Sequence, residues 1–476
     1  MARLFCFFGG RKNFHGKLAT QSRQKQSGFF MYHFPHPRRH RFAEPLFRMA
    51  LLVALGFASP IPAAIIGTNP PVLPLTTERI ASLPAASGMA WKEYLEHSKR
   101  QRKADQLFFQ NEMKDHDIKQ SVVPPTGRAA YSMPLDNRAI WYGSDDARGI
   151  ADNIVSFQTP AGGWSKNLDL TRHPRAAGEL FGPENGSQFL GASDFDAPLE
   201  GKWNYVGTID NDATTTELQF LAKVIASGGD KTGKPYRSSF YAGMEYLFAA
   251  QYPDGGWPQV WPLQGGYHDA ITFNDGAILN VLALLRGVSE AKDEFAFVSA
   301  NIRGRAVAGL RRGMECILAA QIISNNRRTI WCQQYDALTL QPASARNYEM
   351  PSQVSGESAG IMMFLMQLPD PSPEIVTSVH AAAAWFEKTK LMNVAFKSTG
   401  SDGRHLVSAP GNGPIWARYY EIGDDKPLFG DRDKSIHDTV DEISKERRQG
   451  YAWYGDTAKR ALQHYASWSK AHPAAK

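Results

Sequence analysis

Residues 158–164 read QTPAGGW and residues 251–257 read QYPDGGW. The two copies agree at Gln, Pro, Gly, Gly and Trp and lie 93 residues apart. A looser third copy runs from Gln321 to Trp331. The second and third are preceded by helix-like stretches, LFAAQ and ILAAQ. A repeat of this kind marks stacked supersecondary units. Here the unit reads as helix, glycine turn, tryptophan and return helix. Helical hairpins around a centre follow, and with them an all-α fold: an incomplete α/α barrel, or toroid, with long irregular loops and short strands.

Outward from the repeats, helical periodicity predicts helices at 140–157, 213–226, 236–250, 275–289, 302–321, 355–367, 373–389, 435–448 and 456–470. Trp91 to Lys114 reads as a charged amphipathic surface helix. Strand signals are few, with Thr329 to Gln333 the clearest. The polar stretch between the first GGW turn and Gly207 is long for a loop, which is usual where loops carry function. Gly, Pro, Trp and Tyr fill the connections, so Trp164 and Trp257 are candidates for stacking on sugar rings.

The formal charge of +6 belongs to the leader. The first 64 residues hold ten Lys or Arg against Glu44 alone, and the remainder is near −3. That balance gives no argument for a nucleic-acid partner. Arg48, the apolar run Met49–Ala58 and the small residues to Ala64 have the form of a cleaved export signal. The run is too short for a membrane span. The expected layout is a leader over 1–64, a linker over 65–86 and a catalytic domain over 87–476. The mature chain is expected to be secreted or periplasmic, off the membrane and monomeric. Cys316 and Cys332 match no metal spacing and are expected as buried thiols.

Four stretches hold residues suited to chemistry. In TIDNDATTTE (208–217), Asp210 and Asp212 offer hard oxygen ligands for Ca²⁺, an acid/base pair, or simple caps for the following helix. In ITFNDGA (271–277), Asn274 and Asp275 again open a helix. If both helix starts face one cavity, Asp210, Asp212 and Asp275 converge on one cation. In ARNYEMPS (345–352), Arg346 either pairs with Glu349 or clamps a carboxylate through both nitrogens. In WARYYEIGDDKPLFGDRD (416–433), Arg418 and Arg432 are further clamps, although Asp431 and Asp433 also permit a surface ion pair.

Taken in order, GGWSKN, TIDNDATTTE, YPDGGWPQVWPL, ITFNDGA, ARNYEMPS, WARYYEIGDDKPLFGDRD and RRQGYAWYG resemble the pectate lyases of polysaccharide lyase family 10, over about 140–454. The resemblance implies Ca²⁺-dependent β-elimination on polygalacturonate, or pectin, with an arginine as base and 4,5-unsaturated oligogalacturonides as products. It assigns the base to Arg432, carboxylate contacts to Arg346 and Arg418, and the calcium acids to Asp212, Asp210 and Asp275. It does not choose between Asp210 and Asp212 as the direct ligand. Lys166 in GGWSKN is a further candidate for a substrate carboxylate. The alternatives are an α/α-toroid glycoside hydrolase using paired carboxylates from Asp210, Asp212 or Glu217, and a non-catalytic polyuronate-binding protein.

Overall fold

The computed structural model describes residues 64–124, 126, 133–187, 190–191, 193–228 and 235–474, so the export-signal reading lies outside the described residues. Eleven α-helices occur among them: α1 (Thr77–Ala81), α2 (Ala85–Asp115), α3 (Asp145–Ser156), α4 (Thr215–Ala226), α5 (Tyr236–Ala250), α6 (Ala277–Glu290), α7 (Ala300–Ala320), α8 (Ser355–Met366), α9 (Pro373–Thr389), α10 (Lys445–Gly450) and α11 (Thr457–Ala471). None is long and apolar enough to cross a membrane.

Four helical hairpins form two rows. Helices α3, α5, α7 and α9 touch in succession, and so do α4, α6, α8 and α11. The second row is the inner one through α4, α6 and α8, while α11, with only Ala458 and Ala461 buried, ends it at the surface. Helices α6 and α8 are buried almost all round, whereas α7 keeps a charged exposed face with Arg311 and Glu315. A helix that is apolar on every side needs neighbours on every side, and the first row supplies them. Three of the four outer helices start on side-chain caps, α5 being the exception. Ser144, Ser299 and Ser372 accept from the amides of Ala147, Ile302 and Ile375.

The repeated turn is the joint between hairpins. Gln158 Nε2 donates to Gly162 O of its own turn (2.7 Å) and to Ser239 O of the next outer helix, α5 (2.9 Å). Gln251 does the same to Gly255 O and to Gly309 O of α7, each at 2.9 Å. Gln321 reaches Thr329 O (2.9 Å) and Ser378 O of α9 (3.1 Å). Glycine is required in the first two turns. Gly162 and Gly255 have φ of +101° and +96°, and a Cβ would fall 2.4 Å from Ala242 O and 2.1 Å from Arg312 O. Each tryptophan turns inward, with its indole N–H on a carbonyl of the preceding helix. Trp164 donates to Ile154, Trp257 to Leu247 and Trp331 to Ile317, at 2.7–2.8 Å. Trp416 repeats the device on Phe386 of α9 at 3.0 Å without a glutamine. It is a fourth copy that the sequence pattern does not reveal.

Two expectations fail here. The segment 65–86, expected as a linker, is ordered. Gly67–Thr68 is the edge of a five-stranded antiparallel sheet and pairs with Ser435–Ile436, and Thr76 caps α1. The helix expected over 435–448 is instead a strand at Ser435–His437, a 3₁₀ turn at Val440–Glu442 and the short α10. Ile436, Val440 and Ile443 have helical spacing. However, Asp433 takes both the amide and the hydroxyl of Ser435 (2.9 and 2.5 Å), and the sheet captures the β-branched run. The helix expected over Trp91–Lys114 starts six residues earlier, at Ala85, and the other predicted helices agree within two residues, apart from the first barrel helix. Its expected opening turn at 140–144 is mostly the 3₁₀ helix Ala139–Gly143, and α3 begins at Asp145. Cys316 and Cys332 are buried free thiols.

Candidate active site

The turns that follow the tryptophans carry most of the chemistry. After each GGW turn the chain pairs back on its tryptophan. Thr208, Thr272 and Val354 donate to the carbonyls of Trp164, Trp257 and Trp331 at 2.8–3.0 Å. Each short pairing ends at the start of an inner helix. This places the 3₁₀ turn Asp210–Asp212 against the turn Asn274–Gly276, and it places Glu357 in the first turn of α8.

Asp210 does not face an open cation site. Lys166 Nζ lies 2.6 Å from its Oδ2, and both side chains are buried. The ammonium also sits 3.2 Å from the centre of the Tyr205 ring. Burial pushes the Asp210 carboxyl up, but Lys166 more than offsets this and holds it below the usual range. Lys166 is therefore occupied by an internal acid. Behind it, Tyr205 and Tyr267 share a hydroxyl contact of 2.6 Å, and Tyr267 donates to Asp196. His268 packs on both tyrosines, and burial drives its pKa down to about 3, so it is neutral.

Asp212 is exposed and accepts from Asn280 Nδ2 of α6 at 2.6 Å. Asp275 accepts from Asn274 Nδ2 at 3.0 Å, and burial raises its pKa. Among the described residues, no three Asp, Glu, His or Cys side chains gather as a ready-made metal cage. The expected convergence of Asp210, Asp212 and Asp275 is thus not formed, because Lys166 has taken Asp210.

Arg346 occupies the middle of the cluster. Its charge acts on Asp196, Asp210, Asp275 and Glu349. Its Nη1 is 3.2 Å from Tyr348 Oη and 3.6 Å from Glu349 Oε1. Glu349 raises the Arg346 pKa well above its ordinary value. Glu349 is itself held by Tyr451 Oη at 2.7 Å, and Tyr451 by Tyr419 at 2.5 Å. Arg418 Nη2 binds Glu357 Oε1 at 2.6 Å and Asn274 Oδ1 at 3.3 Å, with the guanidinium over the Tyr451 ring. Burial alone would lower the Arg418 pKa, but Glu357 holds it well above its ordinary value.

Arg432 lies to one side. Its Nε and Nη2 contact the two oxygens of Glu446 at 2.9 and 3.2 Å. Glu446 also receives Arg447, and the two guanidiniums flank the Tyr348 ring at 5.6 and 4.4 Å. These bonds, Arg447 foremost, pull the Glu446 pKa down to about 2.

Trp164 and Trp257 are fully buried. Their place as sugar platforms is corrected: an indole with both faces in the core cannot stack on a ligand. Sequence reasoning did not single out Asp196, Tyr205, Tyr267, Glu357, Glu446 or Arg447. Glu349 stood only as a candidate partner of Arg346, and Tyr451 stood in a quoted motif without a role. The usable signal was the density of Tyr and Glu beside the arginines.

A two-row helical toroid, with arginines, acids and tyrosines gathered beyond its inner helices, is an architecture shared with solved polysaccharide lyases. The sequence pattern described as pectic acid lyase matches residues 158–462. The chain belongs to that family and is an enzyme of its kind, a pectate lyase. Two solved structures of a family 10 polysaccharide lyase from Cellvibrio cellulosa are similar to it. One is an aspartate-to-alanine mutant in complex with trigalaturonic acid, 32% identical, covering 70% of this chain and 97% of that one at a TM-score of 0.58. The other, also 32% identical, covers 72% and 99% at 0.57. No curated protein sequence matches the chain significantly.

Proposed function

We propose that the enzyme cleaves polygalacturonate by Ca²⁺-dependent β-elimination, in the secreted or periplasmic space, as a monomer whose leader over 1–64 is removed. The observation that carries this reading is the cluster of Arg346, Arg418, Glu349 and Asp275 beside the Lys166–Asp210 pair. It offers cationic groups for uronate carboxylates and an acceptor for the C5 proton.

The reaction moves the C5 proton to a base, forms the C4–C5 double bond and breaks the C4–O bond, and the leaving oxygen takes up a proton. We place the base on Arg346 rather than Arg432. Arg346 sits among the acids and is bound to Glu349 only at 3.6 Å, whereas Arg432 has two nitrogens fixed on Glu446. Guanidinium is a weak proton acceptor until other cations favour its neutral form, so the rate should rise with pH. Arg418 and Arg432 serve as carboxylate contacts. Each must loosen its hold on Glu357 or Glu446 to serve, or use its remaining N–H groups.

The donor set fits a calcium ion shared with the substrate. Asp212 and Asp275 stand on abutting turns, and Glu357 Oε2 is buried without a hydrogen-bond donor. Calcium takes six to eight oxygens, so substrate and water must complete the shell. Bound there, it would supply positive charge against the enolate-like charge developing on the uronate.

The test is absorbance near 235 nm on polygalacturonate at alkaline pH. A rise abolished by a chelator and by Arg346→Ala is expected. New reducing ends without that absorbance would move the enzyme to hydrolysis.

A further inference from the structure

Asn69 lies on the arm that sequence reading treats as a linker, yet it is 1% exposed. Its side-chain nitrogen faces three backbone carbonyls of one irregular loop: Arg346 O at 3.0 Å, Asn347 O at 3.0 Å and Glu349 O at 3.2 Å. Its side-chain oxygen accepts from Ser344 Oγ at 2.8 Å, and the three carbonyls, which can only accept, fix which way the amide points. Its backbone N–H donates to Lys434 O, two residues beyond Arg432, at 2.8 Å. One residue thus touches both arginine-bearing loops. A second tie runs between those loops, from Asn347 Nδ2 to Arg432 O at 2.7 Å. Gly430 completes the seam, since a Cβ there would fall 2.5 Å from Tyr348 O.

Carbonyls that point the same way repel one another unless a donor stands between them, and a buried carbonyl without a donor is costly. The loop 345–349 contains no helix or strand; besides Asn69, Arg346 O accepts from Glu349 N–H at 2.9 Å and Glu349 O from Ala345 N–H at 3.0 Å, and its shape rests on these bonds together. Asn69 directly follows the strand Gly67–Thr68, whose own residues pair with Ile436 and Ser435 in the sheet. We propose that Asn69 is a positioning residue for the elimination, setting the Arg346 guanidinium relative to Glu349 and the acids; this rests on the reading of Arg346 as the reacting arginine. Small errors in the placement of a reacting group cost on the order of 10²-fold in rate.

The experiment compares Asn69→Ala, Asn69→Asp, Ser344→Ala and Arg346→Ala in the full chain, with Asn69→Ala/Arg346→Ala as a double variant. The expected result for Asn69→Ala is a kcat loss of about 10- to 100-fold with KM within about threefold. Asn69→Asp keeps the Ser344 bond but turns an acceptor towards three carbonyls, so it should fall at least as far. Ser344→Ala should lose less. In the Arg346→Ala background, Asn69→Ala should add nothing to the remaining rate. Wild-type kcat in Asn69→Ala and Asn69→Asp, with Arg346→Ala inactive, would overturn the positioning role and leave the base intact. Activity retained in Arg346→Ala but lost in Asn69→Ala would overturn both, since Asn69 would then act through another loop. If Asn69→Ala fails to fold, Ser344→Ala decides: a kcat loss at unchanged melting temperature supports the role, and an unchanged kcat removes it.

Discussion

Replacing Glu349 and Glu446 in turn by glutamine separates the two candidate bases. Glu349 faces Arg346, whose pKa it raises, and Glu446 is shared by Arg432 and Arg447. Unit charges about 4 Å apart interact by about 4 kcal/mol at an effective dielectric of 20. At Arg432–Glu446 both partners are solvent-accessible, with side chains 25% and 38% exposed. Screening by solvent weakens the interaction there to about 1 kcal/mol or less. Glu349 is only 5% exposed as a side chain, so more of its field reaches Arg346, whose pKa it raises. With neutral arginine as the base, log kcat climbs by about one per pH unit below the arginine pKa. Glu349→Gln should therefore displace that line towards lower pH by about one unit, once the weaker basicity of the acceptor takes back part of the gain. Glu446→Gln should leave the line in place and raise KM. The assay is kcat from absorbance near 235 nm at saturating substrate, from pH 7 to 11, at fixed Ca²⁺. The opposite pattern, a line moved by Glu446→Gln and unmoved by Glu349→Gln, would return the base to Arg432 and refute the reasoning.

Trp257→Phe should leave KM unchanged and cost about 2–3 kcal/mol through the lost bond to Leu247 and a partial cavity. For a folded unit of roughly 410 residues that is about 2–4 °C of melting temperature, and a raised KM without thermal loss would reinstate the sugar platform. Burial pushes the Glu217 pKa up to about 7, so between pH 4.5 and 7 the unfolded chain has released a proton that the native chain keeps, and stability falls as pH rises through that window. Glu217→Gln should remove that loss, worth about 3 kcal/mol at most; equal melting curves for variant and wild type at pH 5 and at pH 8 would show that Glu217 does not titrate this way. Asp212→Ala and Asp275→Ala should each raise the Ca²⁺ needed for half-maximal activity by about tenfold or more, and an unchanged titration would reduce that residue to a turn-former.

The helical framework was legible because its signal is local. Gln and GGW recur, apolar spacing marks each helix, and serine caps stand at the starts. The arginine-bearing loops were legible as motifs but not as partnerships. Nothing near Lys166 in the chain announces Asp210, 44 residues on, as its counter-charge. Nothing near Arg432 announces that Glu446 would hold it. Pairing across a fold is decided by topology, and one sequence does not print it. The tryptophans misled for a related reason. An aromatic after two glycines suits an open platform and a buried plug equally, and only the facing helix tells them apart. The arm at 65–86 misled because proline and threonine resemble linker composition, while its long-range partners lie more than 250 residues away.

That arm also sets an order of events. Residues 67–69 are among the first of the folded unit to leave the ribosome, and their partners at 434–436 are among the last. The hairpins can stack as they emerge, each joined to the next by its glutamine. The loop bearing Arg346 has to wait for the strand that holds the arm in place. A chain caught part-way through synthesis, or clipped near residue 430, would own nearly all of its helices and have no assembled reaction centre, so activity arrives in a single late step.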